Sequence, residues 1–303
     1  MAHACLPESP QVKTKRLVRP GNFLSCYDYL NSFLNFHGYK LSDKSSLEEK
    51  LKEFQRRNKV PTTGRLNSQT CRLINSYRCV HPEKAITFEE EQNRFQATDY
   101  LPLKLAQDRA YLVDTEYNID TTLLLKGDHP YELINGRWSR RTLGFALVGS
   151  SPSYLGSHAW EAVRQSFKTW GKTGIIRFEE RKDPARAEIR VLWTPGPNVD
   201  PNSTDPFYGP GEKIAVGYYP YQHLKELAGD LHLDISEDWV IHPSHKGFDV
   251  ETVALHEIGH CLGIGHSTIQ DSIMWSIYKA NQRDLIQEDK QELERIYQAI
   301  PLL

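Results

Sequence analysis

The sequence predicts an α+β fold in two parts: a small three-helix domain, then a larger domain in which strands and helices alternate. Three observations carry this. Apolar strand patterns at Thr142–Val148 and Ile189–Trp193 flank a helical stripe at Gly156–Trp170. A second helical stripe begins behind Asp249 and carries His256, Glu257 and His260 on an apolar background. Upstream of Tyr77, apolar residues recur at helical spacing in three short stretches. With 303 residues, 39% of them hydrophobic, the chain can bury two separate cores.

The elements follow in order. Phe23, Tyr27, Leu30 and Leu34 mark a first helix that ends near Gly38. Leu47, Leu51 and Phe54 mark a second, and Asn67 caps a third that carries Cys71, Leu73 and Ile74. Residues 1–22 read as a flexible N-terminus, 23–82 as the helical domain, 83–134 as a long linker or insertion, and 135–303 as the larger domain. Within the linker, Tyr111–Val113 and Thr121–Leu125 have the character of short strands, and Glu89–Glu91 that of a solvated stretch. In the larger domain, Trp160, Val163, Phe167 and Trp170 share one helical face. Ile175–Phe178 reads as a further strand, Lys213–Tyr219 as an antiparallel edge, and residues 286–299 as a last helix.

Composition excludes several functions. The net charge of −2 comes with no block of Lys or Arg, so nucleic acid is not an expected partner. No apolar run reaches the ~18–20 residues of a membrane span. The first 22 residues carry Pro7, Pro10 and Pro20 and lack the apolar core of a signal peptide. Five cysteines are present, at 5, 26, 71, 79 and 261. Cys26 and Cys71 fall on two helices of one domain and could form a disulfide or lie as two buried thiols.

The chemistry concentrates in His256-Glu257-Ile258-Gly259-His260-Cys261-Leu262-Gly263-Ile264-Gly265-His266-Ser267. On a helix capped by Asp249, His256 and His260 project from one face a turn apart and can reach one ion. Glu257 falls one step round, beside the ion. Gly263 can take positive φ, so the helix can stop and the chain bend back to bring His266 to a third corner. Three imidazoles at ~2.0–2.1 Å suit Zn²⁺ and leave a fourth position open, the arrangement of a catalytic site. Met274 is the only methionine besides Met1 and follows the third histidine by eight residues.

This stretch, followed by Ser272-Ile273-Met274-Trp275, resembles the metzincin zinc signature with its Met-turn. Ser267 after the third histidine points to the matrixins, the matrix metalloproteinase family. Arg137–Leu143 is similar to the opening of the matrixin catalytic domain, and Gly229–Trp239 to its calcium- and zinc-bearing strand and loop. The resemblance implies a metzincin catalytic domain, with a twisted, mixed five-stranded sheet and three helices. It also implies a secreted zinc endopeptidase, monomeric, acting on protein or peptide substrates, with Glu257 as general base. Phe54-Gln55 with Val60-Pro61-Thr62-Thr63-Gly64-Arg65-Leu66 resembles peptidoglycan-binding-like domains, which matrixins use as a propeptide.

Tyr77-Arg78-Cys79-Val80-His81-Pro82-Glu83 resembles the matrixin cysteine switch. In that reading the Cys79 thiolate fills the open zinc position and the prodomain acts as the enzyme's own inhibitor. Tyr77, Val80 and Glu83 depart from the family's Pro, Gly and Asp, and a structural or disulfide role for Cys79 is the alternative.

The accessory metals of the family are only partly kept. Asp230, His232, Asp234 and Glu237 match its pattern, with Asp234 and Glu237 as calcium candidates and Asp230 and His232 as accessory-metal candidates. Val216 replaces a structural-zinc histidine and Tyr208 a calcium aspartate, so a second zinc is not expected and calcium stays open. Two other functions remain alongside the protease: a wall- or carbohydrate-binding protein working through residues 23–76, and an inactive metzincin scaffold.

Overall fold

A computed structural model of the chain describes residues 30–39 in part, 45–74, 76, 79, 129–196 apart from 133 and 135, 207, 210, 213–221, 224, 227–242 and 246–301. The chain divides into two compact units, Met1–Tyr77 with His81–Ile86, and Arg78–Val80 with Thr87–Leu303. Among the described residues no helix is long and apolar enough to cross a membrane.

In the first unit, residues 30–31 and 33–35 are helical and the chain turns at Gly38, whose φ is 83°. Helix α1, Leu47–Arg57, starts at Ser46 with a capping box. Glu49 N–H donates to Ser46 Oγ at 3.2 Å, and Ser46 N–H donates to Glu49 Oε2 at 2.8 Å. Helix α2, Ser68–Ile74, starts at Asn67, whose Oδ1 accepts from Thr70 N–H. Leu34, Tyr39, Leu51 and Phe54 form the centre of a small core. Gln55 is fully buried and pins the following loop. Its Oε1 accepts from the Thr63 and Gly64 amides, and its Nε2 donates to Arg65 O and Thr70 Oγ1. The Phe-Gln and Thr-Gly residues of the motif are therefore spent on holding the domain's own loop. Cys71 is disulfide-bonded. Cys26, the partner that the sequence left open for it, lies outside the described residues, as do Tyr111–Val113 and Thr121–Leu125.

The second unit is built on a five-stranded mixed sheet. Its strands are β1 Thr142–Val148, β2 Arg177–Glu180, β3 Ile189–Thr194, β4 Ala215–Gly217 and β5 Leu231–Asp234, in spatial order β2-β1-β3-β5-β4. β1, β2, β3 and β5 are mutually parallel. β4 runs antiparallel to β5, with Val216 opposite His232, and is one edge. The parallel strands β1 and β3 are mostly buried, with Arg190 the one charged residue in them. The second strand starts two residues later than the sequence pattern indicates: Gly174 turns at φ 72° and Ile176 tucks into the core before pairing begins.

Helix α3, His158–Gly171, packs against helix α4, Val250–Cys261. α4 is buried along its length apart from Glu251, its polar His256, Glu257 and His260 included. Its carbonyls find indole and phenol partners. Trp170 Nε1 donates to Leu255 O at 2.8 Å, Trp138 Nε1 to Cys261 O at 2.9 Å, and Tyr297 Oη to Leu262 O at 3.0 Å. Tyr297 belongs to helix α5, Gln287–Tyr297. A short parallel ribbon, β6 Trp239–Val240 with β7 Phe248–Asp249, leads into α4. Strands of two residues are too short to show alternation, so no period marks this ribbon.

The expected start of the larger domain at 135 is too late. Thr268 N–H donates to Pro130 O at 2.7 Å, Glu132 N–H donates to His266 O at 2.8 Å, and Tyr131 bridges Ser267 antiparallel. Residues 129–132 are thus part of this unit. They look like linker in the sequence because a single β-bridge carries no periodicity.

Candidate active site

α4 starts at Asp249, whose Oδ2 accepts from Thr252 N–H at 3.1 Å and from Thr252 Oγ1 at 2.6 Å. Losing such a cap costs about 1 kcal/mol. The helix stops in a Schellman turn: Gly263 N–H donates to His260 O, Ile264 N–H donates to Gly259 O, and Gly263 sits at φ 87°. A Cβ on Gly263 would also strike Gly136 O. The reversed chain then carries His266 back beside His256 and His260, with ring centroids 4.8–5.4 Å apart.

Each ring is oriented from behind. His256 Nδ1 lies 2.6 Å from Ile273 O and His260 Nδ1 lies 2.8 Å from Ile264 O. A carbonyl only accepts, so each Nδ1 carries the proton and each Nε2 presents a lone pair. Burial pushes the His256 pKa down to about 4, which keeps that ring neutral. The two Nε2 atoms nevertheless stand 3.1 Å apart. Two lone pairs that close repel unless a cation lies between them.

Cys79 completes the group. It is a buried free thiol, held by its N–H donating to Ser276 O at 3.0 Å, and its Sγ is 3.3 Å from His260 Nε2. Ligand atoms of Cys79, His256, His260 and His266 all lie within 4.8 Å of one another. Around a tetrahedral zinc, nitrogens at ~2.0–2.1 Å and sulfur at ~2.3 Å stand about 3.3 Å (N to N) and about 3.5 Å (N to S) apart. The observed 3.1 and 3.3 Å are close to those separations, so the donor set fits zinc in number, type and spacing.

Glu257 is buried beside the ligands. Its Oε2 accepts from Gly217 N–H at 2.6 Å and lies 4.0 Å from Cys79 Sγ. Burial raises its pKa to about 7, and those two contacts pull the other way. Gly217 can stand there only as glycine, because a Cβ would run into the Glu257 backbone. Met274 is fully buried, with its sulfur against Gly259 of α4. A cleft opens next to Glu257, lined by Cys79, Ile214, Val253 and residues 275–279 among others.

A sequence profile described as Matrixin matches residues 137–298. The chain belongs to the matrixins. Over 165 residues it is 34% identical to karilysin of Tannerella forsythia, a match that covers 54% of this chain and 34% of karilysin. It is 27% identical over 306 residues to Metalloendoproteinase 1-MMP of Arabidopsis thaliana, covering 94% of this chain and 72% of that protein. Over 177 residues it is 28% identical to human Matrix metalloproteinase-16, covering 55% of this chain and 28% of that protein. The chain thus spans about a third of karilysin's length.

Among the described residues, Asp230, His232, Asp234 and Glu237 form no group of three ligand atoms. Asp230 is paired with Arg190 through both carboxylate oxygens, and Asp234 Oδ1 accepts from Ser236 N–H and Ser236 Oγ. An accessory metal at Asp230 therefore meets a cation already in place. Tyr208 lies outside the described residues.

Sequence reasoning missed Gly217 as the donor to Glu257 and the carbonyls of Ile264 and Ile273. It missed Arg190 as well. An arginine inside the apolar run Ile189-Arg190-Val191 was the available signal for a buried anion.

Proposed function

We propose that this chain is a zinc-dependent endopeptidase made as a zymogen. The observation that carries the reading is the meeting of His256 Nε2 and His260 Nε2 at 3.1 Å with Cys79 Sγ 3.3 Å from the latter, in a family that cleaves peptide bonds. His256, His260 and His266 would hold the metal, and Cys79 the fourth position in the latent state. When bound, zinc supplies a Lewis acid that polarises a carbonyl and acidifies water.

The chain's own residues do the rest. Glu257 takes a proton from the attacking water and returns one to the leaving amine, and a carboxylate whose burial raises its pKa suits both directions. The Gly217 amide fixes the carboxylate at Oε2. The edge strand Ala215–Gly217 offers backbone groups to an extended substrate, which would add as a further strand. Ile214, Val253 and residues 275–279 would receive the side chain that follows the cut. A disulfide at Cys71 supports an oxidising compartment.

The test is metal content together with hydrolysis of a peptide library by protein freed of its first unit. One zinc per chain and cleavage abolished by a chelator are expected. Equal hydrolysis by apo and zinc-loaded protein would refute the reading.

A further inference from the structure

His256 and His260 turn their Nδ1 atoms to backbone carbonyls. Nδ1 of His266 has a carboxylate oxygen, Glu132 Oε2, at 3.8 Å. Both side chains are buried, His266 completely. The separation is that of an ion pair, longer than a direct hydrogen bond.

Glu132 is delivered by a well-anchored strap. Residues 130–132 run antiparallel to 266–268 through Glu132 N–H to His266 O and Thr268 N–H to Pro130 O. Tyr131 Oη donates to Asp289 Oδ1 at 2.7 Å, and His129 Nε2 lies 3.2 Å from Glu292 Oε2. Gly265 lets the strap lie flush, since a Cβ there would strike Glu132 backbone and side chain alike. The strap itself, residues 129–132, precedes residue 137, where the Matrixin profile match begins.

We propose that Glu132 is a positioning residue for the metal, holding the His266 ring in orientation and raising the basicity of its Nε2. A ligating imidazole gains positive character at its outer N–H, and a buried carboxylate opposite stabilises that charge. Outer partners hydrogen-bonded to a metal's ligands typically contribute 10–100-fold in metal affinity, and a buried carboxylate at ion-pair distance acts in the same direction. The inference rests on the zinc reading above.

The test compares full-length wild type with Glu132→Gln and Glu132→Asp, measuring zinc affinity by competition with a chromogenic chelator and apo-protein melting separately. Glu132→Gln, which keeps the shape and loses the charge, is expected to bind zinc about 10–100-fold more weakly with little change in apo melting. Glu132→Asp, which keeps the charge at shorter reach, is expected to lie between. Equal affinity in wild type and Glu132→Gln overturns the proposal, as does an Asp variant no better than Gln. Wild type that takes up no zinc would instead sink the metal reading itself, a distinct result.

Discussion

Arg190 and Asp230 form a fork-to-fork ion pair inside the sheet, with Nε donating to Oδ1 at 3.0 Å and Nη2 to Oδ2 at 2.5 Å. Both are buried, on β3 and at the entry to β5. Removing one partner of such a pair leaves an uncompensated charge, at a cost of about 3–5 kcal/mol. Arg190→Leu is therefore expected to lower the unfolding free energy by about that much, and adding Asp230→Leu to recover most of it. Urea unfolding at unchanged m-value measures both. A single-variant loss below about 1 kcal/mol would mean that Asp230 has a second cation, such as a bound metal.

Glu257→Ala removes the carboxylate proposed to carry the proton and leaves the three imidazoles in place. Zinc content is expected to stay at wild-type level while peptide hydrolysis falls by at least ~10²-fold. Near-normal turnover would transfer the role of base to another group.

Cys79→Ser replaces the sulfur that stands 3.3 Å from His260 Nε2 by a poor zinc ligand. In the full-length chain, basal hydrolysis is expected to rise without proteolysis. Latency unchanged in that variant would remove the switch and leave Cys79 a packing residue.

His129 gives a pH signature to the strap. Hydrogen bonding to Glu292 raises its pKa above 6.5, with Arg295 opposing and the Tyr131 carbonyl assisting. Glu292 is buried, which alone would raise its pKa. Arg295 and His129 outweigh that and hold it below 4.5. The His129 contribution is complete below pH 6.5 and lost as pH rises through the raised folded value. The Glu292 contribution is complete above pH 4.5 and lost as pH falls through the lowered one. Wild type should thus exceed His129→Gln in melting temperature most clearly between these limits and converge with it in alkali. A constant difference across pH 5–9 would exclude the ion pair as the cause.

What the sequence disclosed and what it hid divide by range. The zinc helix, its cap at Asp249 and the turn at Gly263 were legible because each is set by residues within a few positions. Strands β1 and β3 were legible from apolar runs. Three other contacts join residues 40 or more positions apart: Gly217 to Glu257, Arg190 to Asp230, Glu132 to His266. No local period encodes such pairs, and only an anomalous residue, such as arginine in an apolar strand, betrays one.

The strap also limits where activation can cut. His129 to Glu132 are held by α5 and by the stretch that bears His266, so a cut after 132 would take away Glu132 and the Tyr131–Asp289 bond. Asp289 is buried and has its pKa raised by that burial. Tyr131 Oη, Ser272 Oγ and the amides of Ile273 and Ile286 all donate to it. Loss of Tyr131 would leave this carboxylate short of a donor directly beneath the turn whose Ile273 carbonyl orients His256, a penalty of about 1–3 kcal/mol. N-terminal sequencing of the spontaneously or proteolytically activated protein is therefore expected to find its first residue between 84 and 129. An active form beginning at or beyond residue 133, with unreduced zinc affinity, would show that the strap is dispensable.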